Sequence, residues 1–137
     1  MNATARRTPA PRLLLVEGND ALRRSLQLLL TGQGYQVHAF SQATRALADP
    51  VAITASHLVI DHIQPETDGV EALALLQLHG WKGRAVLMTA SHSQGLRRAA
   101  IRAGFAATLP KPFPEATLLE ALRGAGVVKQ VINSETE

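Results

Sequence analysis

Four polar residues stand at the ends of short apolar runs, and their chemistry suits the handling of a phosphoryl group. Glu17, Asp61 and Thr89 follow the runs LLLV, LVI and AVLM, and Lys111 comes just after the run AATL. An aspartate can attack phosphorus and form an acyl phosphate. The negative charge on the phosphoryl oxygens then needs a divalent cation, a fixed ammonium and a hydrogen-bond donor. Asp61 is therefore the predicted nucleophile, Glu17 and Asp61 the predicted Mg²⁺ ligands, and Lys111 and Thr89 the predicted partners of the phosphoryl oxygens.

The order of elements along the chain predicts that these residues meet. Short apolar runs that alternate with helical patterns are typical of buried parallel strands, and parallel sheets bind ligands beyond the carboxyl ends of their strands. A less buried strand is predicted where Tyr35, Val37 and Ala39 alternate with polar residues. Five strands and five helices predict an α/β fold, a doubly wound parallel sheet with helices on both faces.

Capping residues predict where the helices between the strands begin and end. The first predicted helix begins at Asn19 or Asp20 and ends at Gly32 or Gly34, and the second begins at a Ser41 cap and ends at Leu47. The third begins at Asp68, with Glu71 in a capping box, and ends at Gly80. The fourth contains Leu96 and ends at Gly104, and the fifth has Pro114 in its first turn.

Length and composition limit the kind of protein this is. The 137 residues fit one domain, predicted at 12–126, with flexible segments at 1–11 and 127–137. Cysteine is absent, and no apolar run approaches the roughly 20 residues that a membrane helix needs. We therefore expect a soluble, cytoplasmic protein without membrane contact.

The net charge of +3 does not by itself indicate nucleic-acid binding. Arg6, Arg7 and Arg12 account for a charge of that size, so the rest of the chain is nearly balanced. Arg97, Arg98 and Arg102 are spaced for one side of a helix and lack the interleaved aromatic residues of a stacking platform. We interpret them as a solvated helix face, with an acidic protein partner as the alternative.

Several short motifs resemble bacterial response-regulator receiver domains of the CheY-like type. The block from Asp61 to Gly69, with sequence DHIQPETDG, is similar to the aspartate, proline and Asp-Gly block of that family. Val16-Glu17 resembles the start of the family's acidic pocket, Met88-Thr89-Ala90 its hydroxyl strand end, and Lys111-Pro112-Phe113 its Lys-Pro-Phe signature. The resemblance covers residues 12–126 and implies a flavodoxin-like five-stranded sheet with strand order 2-1-3-4-5.

The resemblance also implies a function in a two-component phosphorelay. Asp61 would accept a phosphoryl group from a histidine kinase or a histidine phosphotransfer protein, and the output would be contact with another protein. Mg²⁺ would be held by Glu17, Asp61 and the backbone carbonyl of Ile63. Thr89 would move toward the phosphoryl group, Lys111 would sense its charge, and the Lys111–Pro112 bond would be cis. Such a protein is no enzyme beyond catalysing its own phosphorylation and dephosphorylation.

Three positions depart from the family pattern. Gly18 stands where a second acid is usual, which predicts weak Mg²⁺ binding because fewer carboxylates surround the cation. Thr108 replaces an aromatic residue that reports phosphorylation to partners, and Gln64 replaces a methionine.

Other functions compete with the phosphorylation switch. A degenerate receiver that serves as a constitutive interaction scaffold would explain Gly18 and Thr108 but not the intact Asp61, Thr89 and Lys111. A small aspartyl-dependent phosphatase ranks lower, because the chain has neither a Gly-rich phosphate loop nor a nucleophile elbow. His62 and His92 lie near the predicted site, but without a third ligand at suitable spacing we expect both on solvent-facing loops.

Overall fold

A five-stranded parallel sheet forms the centre of the protein in a computed structural model, which describes residues 9–124. The strand order is β2-β1-β3-β4-β5, and every neighbouring pair is parallel, which confirms the predicted fold class. The strands are β1 (Arg12–Val16), β2 (Gln36–Phe40), β3 (His57–Asp61), β4 (Arg84–Thr89) and β5 (Ala107–Pro110).

Four α-helices connect the strands, a fifth follows β5, and a 3₁₀ turn at Ala52–Thr54 precedes β3. The helices are α1 (Asp20–Gly32), α2 (Ala43–Ala48), α3 (Gly69–Leu78), α4 (Gln94–Ala103) and α5 (Glu115–Arg123). The predicted caps of α1 and α3 are confirmed, since the side chains of Asn19 and Asp68 accept hydrogen bonds from the amides of Leu22 and Glu71. Gly104 ends α4 at φ +112°, a conformation that favours glycine.

The predicted start of α2 at a Ser41 cap is wrong. Gln42 occupies the N-cap position, and its side chain forms no capping hydrogen bond within residues 9–124. Instead the Ala43 amide donates to Oε1 of Gln64 at 3.0 Å, so the cap comes from 21 residues further along the chain. The last helix also begins slightly later than predicted, with Pro114 at the N-cap rather than inside the first turn.

The helices cover both faces of the sheet, as the doubly wound fold requires. On one face, β-strand residues such as Leu13, Leu15 and Val59 pack against α1 and α5. On the other face, Leu14, Ile60 and their neighbours pack against α2, α3 and α4, together with Trp81 and Phe105. The central strands are therefore buried on both sides, and their carboxyl ends meet at one edge of the domain.

The two predicted flexible segments, 1–11 and 127–137, lie outside the described residues except for 9–11. Residues 9–11 have no regular structure and are exposed, although the Pro11 carbonyl accepts a hydrogen bond from the Gln36 amide at 2.8 Å. No helix between residues 9 and 124 is long and apolar enough to cross a membrane. The Lys111–Pro112 peptide bond is cis, as predicted.

Candidate functional site

Three of the four predicted residues make direct contact at the carboxyl end of the sheet. Nζ of Lys111 lies 2.7 Å from Oε1 of Glu17 and 2.9 Å from Oδ1 of Asp61. Glu17 follows β1, Asp61 is the last residue of β3, and Lys111 follows β5, so three separate strands supply the cluster. Two carboxylates therefore share one ammonium ion.

Backbone and side-chain contacts hold Glu17 in a buried position. Only 3% of its surface is exposed. Its Oε2 accepts a hydrogen bond from the Asn19 amide at 3.0 Å, and its Oε1 contacts Lys111. Arg23, in the first turns of α1, donates to the Glu17 carbonyl at 2.9 Å and pairs with Asp20. Both carboxylate oxygens of Glu17 are thus engaged before any ligand binds.

The loop that follows Asp61 fits closely around its backbone. Nε2 of Gln64 donates to the Asp61 carbonyl at 3.0 Å. A Cβ atom on Gly69 would lie 2.9 Å from that carbonyl oxygen and 2.6 Å from the Leu87 side chain. Glycine is needed at position 69 because α3 begins against the end of β3, which gives a physical reason for the Asp-Gly pair in the motif.

Thr89 lies beside the charged cluster without joining it. It is buried, and its hydroxyl oxygen accepts a hydrogen bond from the Ser91 amide at 2.9 Å. Its carbonyl accepts from the Lys111 amide at 2.7 Å, which ties the ends of β4 and β5 together. Across residues 9–124, the Thr89 hydroxyl forms no hydrogen bond with the carboxylate of Asp61 or the ammonium of Lys111. The hydroxyl instead orders the start of the loop before α4.

The two carboxylates keep Lys111 protonated. Burial lowers the pKa of Lys111, but the hydrogen bonds and charges of Glu17 and Asp61 outweigh it, and its pKa is raised above 10.5. The site therefore holds a permanent cation at neutral pH, directly beside the predicted nucleophile.

The oxygen groups around Asp61 suit a hard divalent cation only in part. Within residues 9–124, no group of three or more His, Asp or Glu side chains is arranged to hold a metal ion. Glu17 and Asp61 supply two carboxylates, and the side chain of Ile63, 74% exposed, leaves the loop open to solvent. Mg²⁺ is often bound by one or two carboxylates with water in the remaining positions, so the donor set fits weak binding.

Gly18 leaves open space where a third carboxylate could stand. A Cβ atom there would meet its nearest neighbour, the Ser41 carbonyl oxygen, at an ordinary contact distance of 3.8 Å. A side chain at position 18 would therefore meet no steric obstacle, and the site lacks a third carboxylate only because the residue there is glycine.

Other residues singled out from the sequence are at least partly exposed. His92 is exposed and His62 is partly exposed, while Arg97, Arg98 and Arg102 are exposed on α4. Sequence reasoning missed the contacts of two residues, Gln64 and Arg23. The available signal was that Gln64 stands where the family usually has methionine. Its partner Ala43 in α2 is distant in sequence, so the contact itself could not be predicted.

Most of the chain matches a known protein family. A sequence model of the response regulator receiver domain matches residues 13–123. Response regulator MprA from Mycobacterium avium (strain 104) is 33% identical over 112 residues, which are 82% of this chain and 49% of the relative. The chain thus spans about half the length of the curated relatives it matches.

Solved structures agree with the fold. FixJ-N shares 26% identity and a TM-score of 0.74, with 84% of this chain and 92% of that chain covered. The chemotaxis protein CheY4 from Vibrio cholerae has a TM-score of 0.75 at 22% identity, with 82% and 96% covered.

Proposed function

The chain belongs to the response regulator receiver domain family, and we propose that Asp61 is its phosphoacceptor. The phosphoryl donor is a histidine kinase or a histidine phosphotransfer protein of a two-component phosphorelay. The family membership supports phosphorylation-controlled signalling as the general function. The protein acts on no separate substrate: it catalyses only its own phosphorylation and dephosphorylation, and it signals through contact with another protein in the cytoplasm.

One observation carries this proposal: the ammonium of Lys111 lies within 2.9 Å of the Asp61 carboxylate and is held there by Glu17. An isolated carboxylate would repel an incoming phosphoryl group, because both are negatively charged. A neighbouring fixed cation reduces that repulsion and stabilises the charge that develops on the transferred oxygens. The raised pKa of Lys111 keeps this cation charged throughout the physiological range.

The transfer step exchanges one bond to phosphorus for another. A carboxylate oxygen of Asp61 attacks phosphorus and forms an O–P bond, while the N–P bond to the donor histidine breaks. The donor histidine nitrogen keeps the electron pair of the broken N–P bond, and with a proton on its other ring nitrogen the imidazole leaves neutral. Lys111 contacts the phosphoryl oxygens as they arrive, and Glu17 keeps Lys111 in place.

Mg²⁺, when bound, would supply a second positive charge for the phosphoryl oxygens. Asp61 and Glu17 would hold it through carboxylate oxygens, with the Ile63 carbonyl as the proposed third protein ligand. The Lys111 and Asn19 contacts already use one lone pair on each Glu17 oxygen, so metal binding competes with hydrogen bonds already formed. Together with Gly18, this competition supports weak Mg²⁺ affinity.

Thr89 is proposed to respond after the transfer. Its hydroxyl now accepts a hydrogen bond from the Ser91 amide. A phosphoryl oxygen on Asp61 would offer a charged acceptor for the same hydroxyl, since it can donate while the amide still donates to it. Movement of Thr89 would therefore carry the loop between β4 and α4 with it.

Phosphorylation of the intact protein tests the proposal. Wild type, Asp61→Asn and Glu66→Gln are incubated with acetyl phosphate and Mg²⁺, and their intact masses are measured. We expect an adduct of about 80 Da on wild type and on Glu66→Gln, an exposed acid of the same loop, but not on Asp61→Asn. An adduct on Asp61→Asn would show that another residue accepts the phosphoryl group.

The degenerate scaffold is the second candidate, and the existing contacts of Glu17 favour it. Lys111 and Asn19 already occupy both oxygens of Glu17, and position 18 adds no carboxylate. A scaffold would stay unmodified across a range of Mg²⁺ concentrations and phosphodonors. If the wild type carries no adduct under any of these conditions, the phosphorylation switch is rejected and the scaffold function is supported.

A further inference from the structure

Gln64 connects the predicted phosphoacceptor to α2 through both ends of its amide group. Its Nε2 donates to the Asp61 carbonyl at 3.0 Å, and its Oε1 accepts from the Ala43 amide at 3.0 Å. One partner is a carbonyl and the other an N–H, so only one orientation of the amide satisfies both hydrogen bonds. The side chain is 9% exposed, which shields both bonds from exchange with water.

The second of these bonds matters because α2 is short and buries small side chains. The helix has six residues; its buried side chains are the alanines Ala43 and Ala46, and Leu47 packs partly buried against the same core. Alanine buries little apolar area, so packing contributes less here than in helices that bury leucine. A side-chain oxygen that accepts a hydrogen bond from a free amide of the first turn stabilises a helix. Gln64 supplies this bond to α2, because the N-cap residue Gln42 does not.

The first bond links that anchor to the backbone of Asp61 itself. The Asp61 carbonyl lies between the Gln64 amide and Gly69, the first residue of α3, where no Cβ atom would fit. The close approach of Gly69 limits a shift of this carbonyl toward α3. A shift in the other direction changes the hydrogen bond to the Gln64 side chain, whose other end holds α2.

We propose that Gln64 is a positioning residue that transmits the phosphorylation state of Asp61 to α2. This inference rests on the proposed function of Asp61. Addition of the phosphoryl group rearranges the charges around Asp61 and displaces the end of β3, and the amide bridge makes the first turn of α2 respond. The protein then has a responsive surface at α2, beside β1 and β2, in addition to the loop between β4 and α4.

Two substitutions separate the two ends of the bridge. Gln64→Met has a similar volume and removes both hydrogen bonds. Gln64→Glu keeps an acceptor for the Ala43 amide but loses the donor to the Asp61 carbonyl at pH 8. The Glu variant should therefore retain a capped α2 that no longer responds to Asp61, whereas the Met variant should lose the cap as well.

Hydrogen exchange of full-length wild type and both variants provides the test, with and without acetyl phosphate and Mg²⁺. Intact mass on the same samples measures the phosphorylated fraction. In wild type we expect amide exchange at residues 43–46 to change at least threefold on phosphorylation. In Gln64→Glu, resting exchange there should stay within twofold of wild type and should not respond; in Gln64→Met, resting exchange should rise several-fold. Residues 118–122 of α5 serve as an internal reference for global stability.

The outcomes distinguish failure of the inference from failure of the proposed function. Phosphorylated wild type with unchanged exchange at α2 would overturn the coupling and leave the phosphoacceptor intact. A full response of α2 in phosphorylated Gln64→Met would also overturn it, because the bridge would then be unnecessary. A wild type that carries no phosphoryl group would overturn the proposed function, and the coupling with it.

Discussion

The two ends of the sheet use polar groups in opposite ways. At the carboxyl end, Glu17, Asp61 and Lys111 gather three charges within hydrogen-bonding distance. At the amino end, most polar contacts involve neutral side chains or backbone carbonyls. The charged cluster can exchange partners when a ligand arrives, whereas the contacts at the amino end hold the domain together.

Trp81 illustrates the structural role of the amino end. It is 3% exposed and its Nε1 donates to the Ala55 carbonyl at 2.7 Å. A Cβ atom on Gly83 would collide with the Trp81 ring and would lie 2.5 Å from the Ser56 carbonyl oxygen. Nearby, Nε of Arg84 donates to the Ala121 carbonyl at 2.6 Å and joins β4 to α5. Each of these groups has a fixed partner.

Substitutions at the amino end should therefore change stability, and substitutions at the carboxyl end should change chemistry. Four experiments test this separation, beginning with the largest expected effect.

Trp81→Ala should destabilise the fold by about 3–5 kcal/mol, since it removes a large buried side chain and leaves a cavity. Trp81→Phe is the matched control: it fills most of the volume and deprives the Ala55 carbonyl of its donor, at a cost of about 1–3 kcal/mol. Urea unfolding followed by circular dichroism measures both. The folded fraction of each variant should still be phosphorylated, and loss of phosphorylation in folded Trp81→Phe would contradict the separation of the two ends.

Lys111→Met should abolish phosphorylation and lower the free energy of unfolding by about 2 kcal/mol. This loss is smaller than the roughly 3–5 kcal/mol expected when a fully buried pair is broken, because the Lys111 side chain is 22% exposed. It leaves the buried Glu17 carboxylate without its cation. The exposed Lys82 provides the control, and Lys82→Met should change neither property.

The same variant has a signature in the pH dependence of stability. The pKa of Lys111 is raised in the folded protein, so its contribution is complete below about 10.5 and disappears as the pH rises through the raised value. Urea unfolding between pH 9 and 12 should show this alkaline loss above about pH 10.5 in wild type and a weaker loss in Lys111→Met. Equal alkaline losses in the two proteins would show that Lys111 is not the responsible group.

Gly18→Asp should strengthen Mg²⁺ binding by about tenfold, because it adds a carboxylate beside Glu17 and Asp61 where a side chain has room. Gly18→Asn has the same shape without the charge and should stay near wild type. The measurement is the Mg²⁺ concentration that gives half-maximal formation of the acyl phosphate. Equal values for Asp and Asn at position 18 would place the metal away from this loop.

The sequence predicted the sheet well because strand and helix periodicities are local properties. The apolar runs before Glu17, Asp61 and Thr89 correspond to β1, β3 and β4. Once these strands are parallel, their ends must meet at one edge of the sheet, which is why residues far apart in sequence could be predicted to be neighbours. The capping residues Asn19 and Asp68 were also predictable, because a cap bonds to amides two or three residues away.

The contacts that cross between elements were not predictable in this way. Ser41 has the right residue type for a cap, yet α2 is capped by Gln64 from another loop. The bond from Arg23 to the Glu17 carbonyl depends on how α1 leaves β1. A hydrogen bond between distant segments leaves no periodic pattern in the sequence, because its two partners are brought together by the packing of other residues.

The sequence alone determined which residue types stand at the carboxyl end of the sheet and therefore which charges the site contains. Only the tertiary structure decided how those charges are shared: Lys111 bridges Glu17 and Asp61, Thr89 turns its hydroxyl to the next loop, and Gln64 ties Asp61 to α2. The reason is that the strands and their parallel direction follow from local pattern and chain connectivity, whereas hydrogen-bond partners depend on how separate elements pack to within a few tenths of an ångström.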